Sequence, residues 1–100
     1  MKIVFRKSCE ADLKWFRTYY GSIFPAGAMR AKTHLSSIYK ALLSHPFIGH
    51  PVEGAPHIRE FHVPQIPFSV VYVVMENEIM VLRLLDSRAE RPLAFPSINP

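Results

Sequence analysis

Apolar residues recur with helical spacing through the first half of this chain and with strand spacing through the second. Residues 2 to 6 hold Ile3, Val4 and Phe5 between charges and predict a short opening strand. Ser8 offers an N-cap hydroxyl that accepts from a free backbone N–H, and Glu10 and Asp12 put negative charge in the turn that follows, so a helix should begin there. Cys9, Leu13, Phe16 and Tyr20, at intervals of four, three and four, form one stripe along a helix over residues 9 to 20, with Gly21 as its stop. Pro25 suits the entrance of a second helix, along which Ala28, Ala31, Leu35, Ile38 and Leu42 repeat at three, four, three and four. Pro46 disfavours the α conformation of the residue before it, which limits this helix to about residues 26 to 44.

Two amphipathic helices with so short a link predict a hairpin, and stripes this narrow require a flat surface to cover. Residues 45 to 57 hold three prolines and two glycines and read as a structured connecting loop. Ile58 to Val63, Phe68 to Met75 and Ile79 to Asp86 have the length and composition of strands, and the short links at 64 to 67 and 76 to 78 suit antiparallel turns. The unbroken apolar run Val70 to Met75 implies a central strand buried on both faces. The expected fold is therefore α+β: a short N-terminal strand, then a two-helix hairpin packed on a mainly antiparallel sheet that ends in a three-stranded meander. One domain is expected over residues 1–91, followed by a tail over 92–100 whose Pro92, Pro96 and Pro100 leave no room for a long helix.

Composition narrows the classes. A chain of 100 residues, 49% hydrophobic and 20% charged, supports one core. Cys9 is the only cysteine, which excludes an internal disulfide and a cysteine cluster for zinc, and it suits a reducing compartment. The opening residues are too short an apolar run for a signal peptide or a membrane span, so a soluble cytoplasmic protein is expected. Charge is lopsided: residues 1–52 carry eight Lys/Arg against two acids, and residues 53–100 carry four against six. Between Leu13 and Val52 there is no acid, yet Lys14, Arg17, Arg30, Lys32 and Lys40 lie there. Such a face attracts nucleic acid or an acidic protein segment, or is simply a solvated helix surface.

The second half resembles a known family. Ile58-Arg59-Glu60-Phe61-His62-Val63, then the strand bearing Tyr72, then Ile79-Met80-Val81-Leu82-Arg83-Leu84-Leu85-Asp86-Ser87-Arg88 are similar to the RelE/ParE toxin superfamily, with Arg59, Phe61, Val63, Tyr72, Arg83, Asp86 and Arg88 in matching places. The basic hairpin and the loop His45-Pro46-Phe47-Ile48-Gly49 add to the likeness. The resemblance implies a toxin paired with a short antitoxin, ParD-like or otherwise, that wraps it. It also implies one of two targets. RelE-like members cut messenger RNA on the ribosome, whereas ParE-like members block DNA gyrase.

Cleavage of RNA by 2′-OH attack needs a base, cations for the phosphate and an acid for the departing oxygen. Arg59 and Arg88 match two catalytic places of the ribonuclease branch. Phe61 and Ser69 stand where further cations belong, and the last Tyr and last His are Tyr72 and His62, far from the C-terminus. Asp86 and Glu90 are poor acids beside Arg83, Arg88 and Arg91, which favour their charged forms, while Glu60, His57 and His62 remain as bases for the nuclease alternative. As a binding surface for target or antitoxin the candidates are Trp15, Lys14, Arg17, Arg30, Arg59, Arg83, Arg88 and Arg91. Bland readings stand beside them: Arg59 paired with Glu60 or Glu78, Arg83 snorkelling beside Val81 and Leu85 on one face, Trp15 at the core's edge. His57 and His62 point to opposite faces of one strand, and His45 and His50 lack a ligand pattern, so neither a metal nor a cofactor is expected. The incomplete nuclease set favours a gyrase inhibitor over a messenger endonuclease. A non-toxic interaction or nucleic-acid-binding domain is the third reading, weakened by the lack of an RNA-binding or helix-turn-helix pattern.

Overall fold

The computed structural model describes residues 1–88, so the tail expected over 92–100 lies outside the described residues. Strand β1 (Lys2–Phe5) leads through a 3₁₀ turn at Lys7–Cys9 into helix α1 (Glu10–Thr18). A π-helical turn at Tyr19–Ile23 and a 3₁₀ turn at Pro25–Gly27 connect α1 to helix α2 (Ala28–Ser44). Strands β2 (His50–Val52), β3 (Ala55–His62), β4 (Phe68–Val74) and β5 (Glu78–Asp86) follow. They make one five-stranded sheet in the order β1-β5-β4-β3-β2, antiparallel except where β1 pairs in parallel with β5.

Both apolar stripes face the sheet. Cys9, Phe16 and Tyr20 from the first helical stretch and Ala31, Leu35, Ile38 and Leu42 from α2 pack on Phe68, Val70, Tyr72, Ile79, Val81 and Leu84. Val71, Val73, Leu82 and Leu85 form a second buried cluster with Ile58. Strand β4 therefore contributes side chains to both clusters, which is what its unbroken apolar run requires.

Three local expectations are corrected. Gly21 does not stop the first helix: the chain widens into the π-helical turn and passes through it, and the Phe24 amide bonds back to the Tyr19 carbonyl at 2.7 Å. Rings of Tyr19 and Tyr20 against Phe24 and Phe68 hold that wider turn, so tertiary packing overrides the glycine signal. Ser8 is not an N-cap, because its hydroxyl donates to the Leu82 carbonyl at 2.8 Å and a 3₁₀ turn leads into α1 instead. Residues 45–57 are not all connecting loop. They contain β2 and the start of β3, joined at Gly54 in a left-handed conformation with φ of 82°. Pro51 is tolerated there because β2 is an edge strand, where a missing N–H breaks no inner ladder.

Strand β5 carries a bulge. Val71 faces Arg83 while its neighbour Tyr72 faces Val81, which leaves Leu82 as an extra residue. The alternation slips there: Ile79, Val81 and Leu84 belong to the helix-side core, and Leu82 and Leu85 to the other face. Val81 and Leu85 thus do not share a face, contrary to the expectation from regular alternation. The start of the helical layer satisfies the displaced backbone. Arg6 N–H donates to the Val81 carbonyl at 2.9 Å, Ser8 serves Leu82, and the Asp12 carboxylate accepts from Leu84 N–H at 3.0 Å. Asp12 also takes two hydrogen bonds from Arg83, at 2.6 and 3.0 Å.

Because Asp12 answers one buried amide and one cation together, Asp12→Ala should destabilise the protein by about 2–3 kcal/mol in urea unfolding. The paired substitution Asp12→Ala/Arg83→Met should cost less than the sum of the two single changes. A loss under about 0.5 kcal/mol for Asp12→Ala, the range of ordinary surface changes, would contradict this account of the bulge.

Candidate interaction site and its fixed cations

The sequence candidates separate into three structural stations and one free basic surface. At the first station, Arg59 of β3 reaches the loop after α2, donating from Nη1 to the carbonyls of Phe47 at 3.0 Å and Gly49 at 2.7 Å. Its guanidinium lies 5.0 Å from the centre of the Phe47 ring. Tyr72, fully buried in β4, donates its hydroxyl to the Pro46 carbonyl at 2.8 Å and accepts from Gly49 N–H at 2.9 Å. Burial pushes the Tyr72 hydroxyl's pKa up, partly offset by the Gly49 hydrogen bond. Gly49 must lack a side chain, since a Cβ there would come within 2.8 Å of the Tyr72 oxygen and 3.0 Å of the Glu60 carbonyl. What Arg59 grips through Nη1 is thus backbone, and no ion pair joins it to Glu78 among the described residues.

At the second station, Arg88 forms a fork on Asp86, with Nε to Oδ1 at 2.9 Å and Nη2 to Oδ2 at 2.8 Å. Its Nη1 donates to the Tyr19 hydroxyl at 2.6 Å, and the guanidinium sits 4.1 Å over the Tyr19 ring. The Trp15 indole N–H donates to the same carboxylate at 3.0 Å, while Trp15 stays 40% exposed. Hydrogen bonds from Arg88 foremost, then from Trp15, hold the Asp86 carboxyl down to about 2 from an ordinary 3.8. Arg91 and Glu90 lie outside the described residues.

The third station is Arg83, whose acid comes from within the chain as Asp12. Lys14, Arg17, Arg30, Lys32 and Lys40 are all exposed on the helices. Among the described residues none of these five makes an ion pair. His62 shares a 3.2 Å hydrogen bond with Ser69, and no three His, Cys, Asp or Glu of the described residues gather to hold a metal. Cys9 is sealed in the core, where burial pushes its thiol up to about 12.

Arg59 and Arg88 are not brought together. Arg59 stands opposite Tyr72, and Asp86 stands opposite Phe68 on the other flank of β4. Four residues along the strand and two strand spacings separate the backbones of Arg59 and Asp86, about 16 Å.

Against known proteins, a family model described as ParE toxin of type II toxin-antitoxin system, parDE, matches residues 3–91. The chain belongs to the ParE toxin family. It is thereby the toxin of a type II toxin–antitoxin system, whose other component is an antitoxin. Among solved structures, a chain titled "Chromosomal ParDE TA system from P. aeruginosa" matches with a TM-score of 0.64 and 26% identity, covering 84% of this chain and 92% of that one. Comparison with curated protein sequences returns no match. No helix among the described residues is long and apolar enough to cross a membrane.

In this ParE toxin, sequence reasoning reaches Trp15, Arg59, Arg83, Arg88 and the acid Asp86, but not Asp12, Tyr19 or the loop carbonyls that they meet. Asp12 reads as an ordinary first-turn acid, and its bond to Arg83 spans 71 positions of chain. Tyr19 sits beside the apolar stripe with nothing to mark it as the seat of a guanidinium.

The Asp86 station makes a pH signature. Its folded pKa lies below the unfolded value, so its stabilisation is complete above about pH 5 and is lost as pH falls through 3.8 toward 2. With solvent screening allowed for, about 1–2 kcal/mol should vanish over that window. Urea unfolding of wild type and Asp86→Asn should therefore differ at pH 6 and converge near pH 2. A gap that stays constant across the window would contradict the assignment.

Proposed function

We propose that this toxin acts by binding DNA gyrase in the bacterial cytoplasm, not by cutting messenger RNA. The observation that carries this reading is the condition of its would-be catalytic cations. Arg59 is bound to two carbonyls and Arg88 to Asp86 and Tyr19, on backbone positions about 16 Å apart with each guanidinium held by its own partners, which disfavours their meeting on one phosphate. Near Arg59 the Tyr72 hydroxyl both donates and accepts within the fold. Near Arg88, Asp86 is held ionised and makes a poor proton donor at neutral pH. Loss of general acid–base help costs about 10²–10⁴-fold in rate, and nothing in these stations replaces it.

The antitoxin, ParD-like in chemistry, lays an acidic segment over the free cations Lys14, Arg17, Arg30, Lys32 and Lys40 and folds as it binds. Its complex with the toxin should weaken at least about tenfold between 50 and 500 mM salt, measured by calorimetry. Affinity independent of salt would remove the electrostatic part of this reading.

The target is tested in two arms with purified toxin. Added to gyrase, it should block supercoiling or trap broken DNA; added to translating ribosomes, it should leave messenger ends unchanged. Codon-specific cuts abolished by Arg59→Ala, with supercoiling intact, would establish the ribosome-dependent endonuclease instead.

A further inference from the structure

A cleft of about 300 Å³ opens between the tip of the helical hairpin and the turn joining β3 to β4. Tyr20, Phe24 and Arg30 line it from the hairpin, and Gln65 and Ile66 from the turn. Of these five only Arg30 is among the binding candidates named from the sequence.

Tyr20 is 5% exposed, its ring fixed against Phe16 at 5.0 Å and Phe68 at 6.0 Å. Its hydroxyl has no hydrogen-bond partner among the described residues. The Tyr39 hydroxyl is sealed in without a partner, whereas Tyr20 lines the cleft. A nearly buried phenol left in this state has a donor to offer. Arg30, exposed on the rim in the first turn of α2, makes no ion pair among the described residues and lies in the acid-free stretch from Leu13 to Val52. Gln65 faces them from a strained backbone, with φ of 68° in a residue that has a Cβ. Such strain persists where the surrounding structure holds a residue in a required position.

The walls between these polar groups are apolar. Phe24 is half-exposed, and its ring lies over Gly27, where a Cβ would come within 2.5 Å of it. Gly27 thus lets the ring form one side of the cleft. One face of the Tyr19 ring is already covered by Arg88. A cation, a phenol and an amide around an apolar hollow match a carboxylate joined to an apolar side chain.

We infer that the cleft receives an acidic residue and an adjoining apolar side chain of the antitoxin, the carboxylate meeting Arg30 and Tyr20 and the apolar group lying on Phe24 and Ile66. This rests on the reading that an acidic antitoxin segment covers the basic half, and it names where that segment is anchored.

The test is calorimetric titration of the full-length toxin with its cognate antitoxin at two salt concentrations. The variants are Tyr20→Phe, Arg30→Gln, Gly27→Ala and, as a charge-matched control on the same helix, Lys40→Gln. Tyr20→Phe keeps the buried ring, so the fold is preserved while the donor is lost. Tyr20→Phe and Arg30→Gln should each weaken binding about tenfold or more, the effect of a hydrogen bond to a charged group. Gly27→Ala, which displaces the Phe24 ring, should weaken it as well, and Lys40→Gln, which removes a covered cation outside the cleft, should weaken it several-fold less than Arg30→Gln. Salt-sensitive binding weakened equally by Arg30→Gln and Lys40→Gln, with Tyr20→Phe at wild-type affinity, would overturn the cleft and leave the general electrostatic reading standing. Salt-insensitive binding with all variants silent would overturn both. Loss of single-stranded RNA binding in these variants, with antitoxin affinity unchanged, would make the cleft a nucleic-acid site and also end the proposal.

Discussion

The carboxylate of Asp12 is where the helical layer and the sheet of this toxin are joined. A bulge at Leu82 displaces backbone polar groups of β5 on the side that β1 no longer covers. An unanswered amide there costs as much as a lost hydrogen bond, so something from the helices has to reach it. Asp12 does so from the first turn of α1 and binds Arg83 with the same group, while Ser8 answers the adjacent carbonyl. Beyond the bulge the strand's faces are exchanged, and β5 ends with Asp86 in reach of Trp15, so that Arg88 closes over Tyr19. The Arg83 station sits directly beside the inserted residue, and the Arg88 station closes the end of the same strand.

The sequence makes the layers legible and leaves their joints hidden. Stripes at three and four along Cys9 to Tyr20 and Ala28 to Leu42 reflect one-sided burial, a property each segment carries by itself. The run through Val70 and Val71 likewise announces a central strand. Gly21, Ser8 and the residues around Pro51 were misread because their outcomes depend on distant partners: a cluster of rings around the π-helical turn, the Leu82 carbonyl, and an edge position beside β3. The candidate site divides in the same way. Arg59, Arg83 and Arg88 stand out by type and place, and Asp86 beside Arg88 is legible too, but the loop carbonyls, Asp12 and Tyr19 come from chain segments that no local pattern connects to them.

That division bears directly on function. A ribonuclease needs cations and proton-transfer groups free to meet a phosphate, whereas here two matching arginines hold backbone and carboxylate in place, at separate ends of the sheet. The exposed charge lies instead on the helical hairpin, which carries no acid after Asp12. A rigid sheet carrying a basic, partly apolar outer layer suits recognition of another protein, and binding that layer is also the simplest way for an antitoxin to silence it.

The most direct test of this account is sedimentation of the purified toxin with isolated gyrase subunits and, separately, with programmed ribosomes. A stable complex with a gyrase subunit, and none with ribosomes, is the result the account predicts. Co-sedimentation with ribosomes alone would contradict it.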